Sequence, residues 1–237
     1  MLAGYGPCRI AAMKKNAGFS VVELLVVLGV MSLVMGMVIP AVGMVREKAQ
    51  RMATGHKLRQ VALAVATYQA TTGRALSGSD LAGWLEELAR ESGALPAELF
   101  LFEEDPLMAA RGQLPPTLLE RGSNGRWSVV SDFAAWPVGV AVVSGVGPGC
   151  DPARTPILWT RGLEANGRWR AFGQDRAGIY GDAGGFVAFL DGHVEYYRDL
   201  SENGGQLIQF QSGQRTGKIV EALPPGAKVF DYRGGVF

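Results

Sequence analysis

The chain has 237 residues, 48% of them hydrophobic and 19% charged, with 33 glycines and a formal net charge of +1. That length gives room for one or two domains with a sizeable core, and the composition excludes a disordered tail. With 23 Lys plus Arg against 22 Asp plus Glu, there is no basic excess of the kind that marks a nucleic-acid binder, so no nucleic-acid partner is expected.

Residues 1–18 carry Arg9, Lys14 and Lys15 and no acid. From Leu24 to Val45 the chain has no charged residue. As a helix rising ~1.5 Å per residue, this run reaches about 33 Å and spans a bilayer core of roughly 30 Å. Lys14 and Lys15 before it favour a cytoplasmic N-terminus, and Arg46-Glu47-Lys48 marks its far edge. One acid, Glu23, stands just inside the start of the run.

Three readings compete for this segment. A secretory signal peptide has a shorter apolar stretch and a small-residue cleavage site, which Val45-Arg46-Glu47 does not supply. An ordinary signal anchor, holding a periplasmic binding module or enzyme that is not processed, fits the length and flanks but leaves Glu23 without a role. An acid at the centre of a spanning segment costs about 2.5–3.5 kcal/mol, and less near its edge.

The third reading is a resemblance. Gly18-Phe19-Ser20 followed by Val21-Val22-Glu23-Leu24-Leu25-Val26-Val27 resembles the processing site of type IV prepilins and type II secretion pseudopilins. The resemblance implies a basic leader over residues 1–18, cut between Gly18 and Phe19 by a prepilin peptidase that also N-methylates Phe19. It implies other pilin or pseudopilin subunits, an inner-membrane platform protein, an assembly ATPase and membrane lipid as partners. It further implies a single-pass inner-membrane subunit with a periplasmic head, later extracted into a filament, and no enzymatic activity. Met13 is an alternative start to Met1, giving MKKNAG as leader. Cys8 is lost either way and leaves Cys150 alone, so no intrachain disulfide is expected.

A cut at Gly18 exposes an amine on Phe19, next to a helix N-terminus that already bears partial positive charge. Glu23 is suited to compensate these charges in its own chain, or to meet the amine of a neighbour in a stack of identical helices. In a low-dielectric bundle such a pair attracts strongly, but desolvation consumes much of the gain, so it specifies register more than it adds stability. Gly29, Gly36, Pro40 and Gly43 interrupt the run. They suit either a kinked helix with close helix contacts or the local unwinding over Gly36–Gly43 that the resemblance implies for the assembled state.

Beyond Arg46, Leu58, Val61, Ala62, Val65 and Tyr68 form one apolar helical stripe. Gly73 is the expected C-cap, Gly55 the weakest interior point, and His56 a solvated position. Phe19 to Thr72 then reads as one helix of ~80 Å, membrane half 19–45 and amphipathic half 46–73, with a head over 74–237. Asp80 caps a second helix carrying Leu81, Trp84, Leu85 and Leu88, which ends before Gly93. Residues 94–125, rich in proline, read as irregular with a turn at 97–104.

From Arg126 the pattern is β-like. Expected strands are Trp127–Ser131, Val138–Ser144, Pro156–Arg161 and Arg168–Phe172, with Asn166-Gly167 turning between the last two. A hairpin joins Phe186–Leu190 to His193–Arg198 through a two-residue Asp191-Gly192 turn. Leu207–Gln211 and Lys228–Tyr232 are expected edge strands. The Gly184–Tyr197 stretch resembles the C-terminal "H-x9-DG" element of a group of prepilin-like proteins, with Gly181 where that element has its histidine. The fold class is therefore α+β, a long N-terminal helix with an antiparallel sheet in the head.

Other chemistry is weakly signalled. Gly145–Pro152 is glycine-rich, but prolines bar the helix that a phosphate loop requires. No cofactor is expected, and only His56 and His193 are available for a histidine metal site. Asp182, Asp191 and Glu195 could offer oxygens to calcium, without EF-hand spacing. In the Arg-Trp pairs Arg126-Trp127 and Arg168-Trp169-Arg170, Trp is expected to face inward and Arg outward across a sheet.

Overall fold

The computed structural model describes residues 20–237 except 109, 110 and 112. Compact packing divides the chain at Lys48 and Ala49. Helix α1 spans Val21–Thr72 and α2 spans Leu81–Ser92. Ten strands follow: β1 Leu119–Arg121, β2 Trp127–Val129, β3 Val140–Ser144, β4 Pro156–Thr160, β5 Gly185–Phe189, β6 Val194–Tyr197, β7 Leu207–Ile208, β8 Arg215–Thr216, β9 Lys228–Asp231 and β10 Gly234–Gly235. The fold is α+β with a long N-terminal helix.

α1 is continuous through Gly36, Pro40 and Gly43. Its predicted stripe is the buried one: Leu58, Val61 and Ala62 have no exposed surface, and Val65 and Tyr68 almost none. Gly55 carries a helix penalty that its neighbour explains. A Cβ there would stand 3.3 Å from the Phe186 ring, so its absence lets strand β5 approach the helix. Further along, Gln69 Nε2 donates to the Val146 carbonyl at 2.9 Å, and the Gly73 N–H closes the helix on Gln69 O.

Asp80 caps α2 by accepting from the Gly83 N–H at 2.7 Å, and Gly93 ends it. Trp84 is fully buried, with its indole N–H donating to the Val143 carbonyl. That bond ties α2 to the sheet.

Six antiparallel strands form the main sheet in the order β10-β9-β3-β4-β5-β6. β3, β4 and β5 are buried at every residue, not at alternate ones. Both faces are covered there, which is why VAVVS, PILWT and GFVAF read as continuous runs.

Several expected strands move. Residues 168–172 are not a sheet strand: beyond a single bridge between Leu163 and Trp169, the Arg170 N–H returns to Gly162 and the Arg170 carbonyl accepts from Gly178. The neighbour of β4 is β5. Leu207–Ile208 pairs with β8 in a separate small sheet, and β9 lies inside the main sheet between β10 and β3. In the β5–β6 hairpin, the Gly192 N–H donates to Phe189 O and the Phe189 N–H to His193 O. The loop is therefore three residues, Leu190-Asp191-Gly192, with only Gly192 at positive φ (+87°). Trp169 is buried as expected, whereas Trp127 is only half-buried, with the Arg121 guanidinium 5.8 Å from its ring centre.

The core also holds an ion pair. Arg161 Nη2 meets Asp105 Oδ1 at 2.8 Å with both side chains essentially without exposed surface. The rest of the guanidinium donates to the carbonyls of Ala177, Pro137 and Val138, and Asp105 also accepts from the Leu107 N–H. The pair fixes the irregular 94–108 segment, whose Leu99, Phe100, Leu101 and Phe102 are buried.

Three substitutions check this packing by urea denaturation of the detergent-solubilised chain. Leu58→Ala is expected to destabilise it by about 2–5 kcal/mol, while the exposed Gln60→Ala changes it by no more than about 0.5 kcal/mol. Asp105→Ala strands a buried guanidinium and is expected to cost about 3–5 kcal/mol; a loss below about 1 kcal/mol would show that the pair does not hold the segment.

Candidate functional site

The N-terminal turn of α1 is the candidate site. Ser20 precedes the helix, and its Oγ accepts from the Val22 N–H at 3.3 Å while its carbonyl accepts from the Leu24 N–H at 3.1 Å. A hydroxyl residue in this place supplies a partner for an orphan helix donor. Glu23 falls in the first turn, where an anion is favoured by the helix dipole. It is exposed and has no ion-pair partner among the described residues. Gly18 and Phe19, the expected processing residues, lie outside the described residues, as does Cys8.

Behind Glu23 stands an uncovered apolar surface. Val21–Ile39 is long and apolar enough to cross a membrane, and none of it is buried. Fifteen large apolar side chains, from Val21 to Ile39, are exposed. At about 1.5–3 kcal/mol for each when removed from water, their burial is worth roughly 20–45 kcal/mol. The ~3 kcal/mol penalty of one carboxylate is an order of magnitude smaller. Glu23 does not decide whether the segment leaves water; it adds a specific demand for positive charge where it ends up.

The other candidates have ordinary structural partners. Asp191 accepts from the His193 N–H at 2.9 Å and its carboxylate meets the ring Nδ1, while that ring stacks on Phe189 at 4.1 Å. Glu195 accepts from the Tyr197 hydroxyl, and Asp182 is exposed in a single turn of 3-10 helix. Among the described residues no group of three or more His, Cys, Asp or Glu side chains is placed to hold a metal ion. Val146 bridges to Leu76 and turns follow it at 148–150 and 152–154, with no helix beginning after them, and the Cys150 thiol is free and half-buried. His56 is exposed on α1.

Sequence reasoning missed a polar cluster where α1 joins the sheet. Glu104 Oε1 accepts from the Thr54 hydroxyl and, at 3.2 Å, from the Tyr180 hydroxyl. Burial, reinforced by this carboxylate, raises the Tyr180 phenol above its ordinary pKa, so it stays a donor. Thr54 is one residue from Gly55 and a turn before Leu58, a polar gap in the stripe that could have flagged the contact.

Neither a curated protein nor a solved structure matches the chain. A family model does match, over residues 13–39, a stretch that contains Gly18, Phe19 and Glu23. The match ends well before the β5–β6 hairpin, so the second resemblance draws no support from it. Residues 13–39 are a prokaryotic N-terminal methylation motif, consistent with a prepilin or pseudopilin.

Proposed function

We propose that this chain is a prepilin-like structural subunit rather than an enzyme, cut between Gly18 and Phe19, N-methylated on Phe19 and assembled into a type II secretion pseudopilus or a type IV pilus-like filament. The observation that carries the reading is the methylation motif at residues 13–39, which contains the exposed apolar helical stretch Val21–Ile39. In this reading residues 1–18 are the leader, 19–45 the membrane half of the helix, 46–73 its amphipathic half and 74–237 a periplasmic head.

The physical sequence of events is short. The subunit rests in the inner membrane by its apolar half, with the N-terminus cytoplasmic. The peptidase removes the basic leader and leaves a cation on Phe19. A platform protein and an assembly ATPase then draw subunits out of lipid, and helix packs on helix so that apolar surface stays out of water. Glu23 meets the freed amine of a neighbouring subunit and sets the stagger between them.

Mass spectrometry of the native N-terminus is expected to find a peptide beginning at methylated Phe19. A mature protein that starts at Met1 or Met13 and still functions would remove the reading. Glu23→Ala and Glu23→Val are expected to fractionate with membranes as the unsubstituted chain does. Filament yield should fall by about tenfold or more, because subunits without the carboxylate lose the stagger that the pair sets. Undiminished filament yield from both variants would strip Glu23 of this role.

A further inference from the structure

The main sheet ends on one side at β10. Gly234 pairs there with Asp231 and Gly235 with Phe230, and the Val236 N–H donates to the Val229 carbonyl at 2.9 Å. In an antiparallel pair, residues that exchange bonds alternate with residues whose N–H and C=O face away from the partner strand. Val236 is bonded to β9, so the Gly235 backbone points out of the sheet. β10 has neither charge nor proline to blunt that edge, and its two glycines carry no side chain. The opposite edge strand, β6, contains a charge of its own, Glu195.

What covers β10 comes from a turn elsewhere in the chain. Arg176 donates from Nη1 to the Gly235 carbonyl at 2.9 Å and from Nη2 to the Arg233 carbonyl at 3.5 Å. Its Nε stands 3.5 Å from Oδ2 of Asp231, whose side chain is almost fully buried. One planar guanidinium thus meets the β9–β10 hairpin at three points, a fork that a lysine ammonium does not supply. The turn is tied down on both sides of Arg176. The Asp175 carboxylate pairs with Arg233, and the Asp175 carbonyl accepts from Arg170 at 2.9 Å. The Ala177 carbonyl accepts from buried Arg161 at 3.0 Å. Arg176 itself sits at a φ of +55°, a left-handed backbone that is unfavourable for a residue with a side chain. Its hold on the hairpin offsets that strain.

The edge beneath the guanidinium is complementary to itself. Gly235 presents a donor and an acceptor on the same side, so two such edges related by a two-fold axis satisfy each other's N–H and C=O. A guanidinium on the Gly235 carbonyl takes that acceptor and puts a charge where the second strand would lie.

We propose that Arg176 is an edge guard, which keeps the sheet from pairing through β10 with a second copy of this chain. The proposal does not depend on the filament reading.

The test compares Arg176→Gly and Arg176→Ala with the unsubstituted chain and with Arg215→Ala, which removes an exposed arginine of β8. Glycine removes the guanidinium and is also at ease at this φ, so the variant keeps its backbone free of strain. Each full chain, in a Cys8→Ser, Cys150→Ser background, carries a nitroxide at Lys228→Cys, an exposed position of β9, in detergent micelles. Strands ~4.8 Å apart, rising ~3.4 Å per residue, place the two labels of an edge-paired dimer about 20 Å apart. Double electron–electron resonance reads that distance, and nuclear magnetic resonance reads hydrogen exchange at the Gly235 amide of the unlabelled chains. Both Arg176 variants are expected to show the distance and severalfold slower Gly235 exchange as protein concentration rises. The unsubstituted chain and Arg215→Ala are expected to show neither. Failure of either signal in Arg176→Gly overturns the proposal. Loss of amide protection in β3 and β9 of Arg176→Gly would make Arg176 a packing residue and also overturns it.

Discussion

The apolar side chains of Val21–Ile39 have to leave water, and Glu23 has to leave with them. Fifteen exposed Val, Leu, Ile and Met side chains outweigh one carboxylate by about tenfold in transfer free energy, so removal from water is settled by the many and not by the one. A lone acid on an apolar helix is tolerable when a cation is made available to it. In the proposed processing, a cut between Gly18 and Phe19, upstream of Glu23, creates such a cation. Leader, glycine, phenylalanine and acid form one chemical arrangement in this view: an amine and the carboxylate that answers it.

The second half of α1 obeys a different rule. From Leu58 to Tyr68 its apolar residues return every three or four positions, and the sheet-facing stripe is dry. Gly55 lets Phe186 close in on the helix, and Thr54 with Glu104 and Tyr180 supplies polar partners at the same junction. A helix that is apolar all round in one part and apolar on one side in another has one environment for each. The amphipathic part is already packed within its own chain, while none of the described residues buries Val21–Ile39.

Local signals were legible and distant pairings were not. The Leu58–Tyr68 stripe, the Asp80 cap, the inward Trp84 and the β5–β6 hairpin all depend on residues a few positions apart, and they appear at the expected places. Arg168–Phe172 carried strand-like residues, but β4 pairs with β5, more than twenty residues further along, and no local pattern encodes that choice. β9 enters the sheet out of chain order, beside β3, for the same reason. Arg161 looked like the polar end of a strand; its burial is set by Asp105, fifty-six positions away, in a segment that reads as irregular. The methylation motif at residues 13–39 was legible because it is a linear stretch of sequence, and the roles proposed for Gly18, Phe19 and Glu23 rest on that stretch. The contact of Arg51 with the Tyr180 and Tyr196 rings was invisible, since it is assembled from α1, a turn and β6.

The central claim is that Glu23 of one subunit pairs with the Phe19 amine of another. Solid-state nuclear magnetic resonance of mixed filaments measures that pair directly. Half of the subunits carry nitrogen-15 phenylalanine and the other half carbon-13 labelled glutamate carboxyl groups, so a correlation to the terminal amine can arise only between chains. The account predicts a correlation from the amine nitrogen to one carboxyl carbon, at about the 4 Å of an ion pair, which disappears in filaments assembled from Glu23→Gln subunits. Filaments with no such correlation, or with the same one after the substitution, would contradict it.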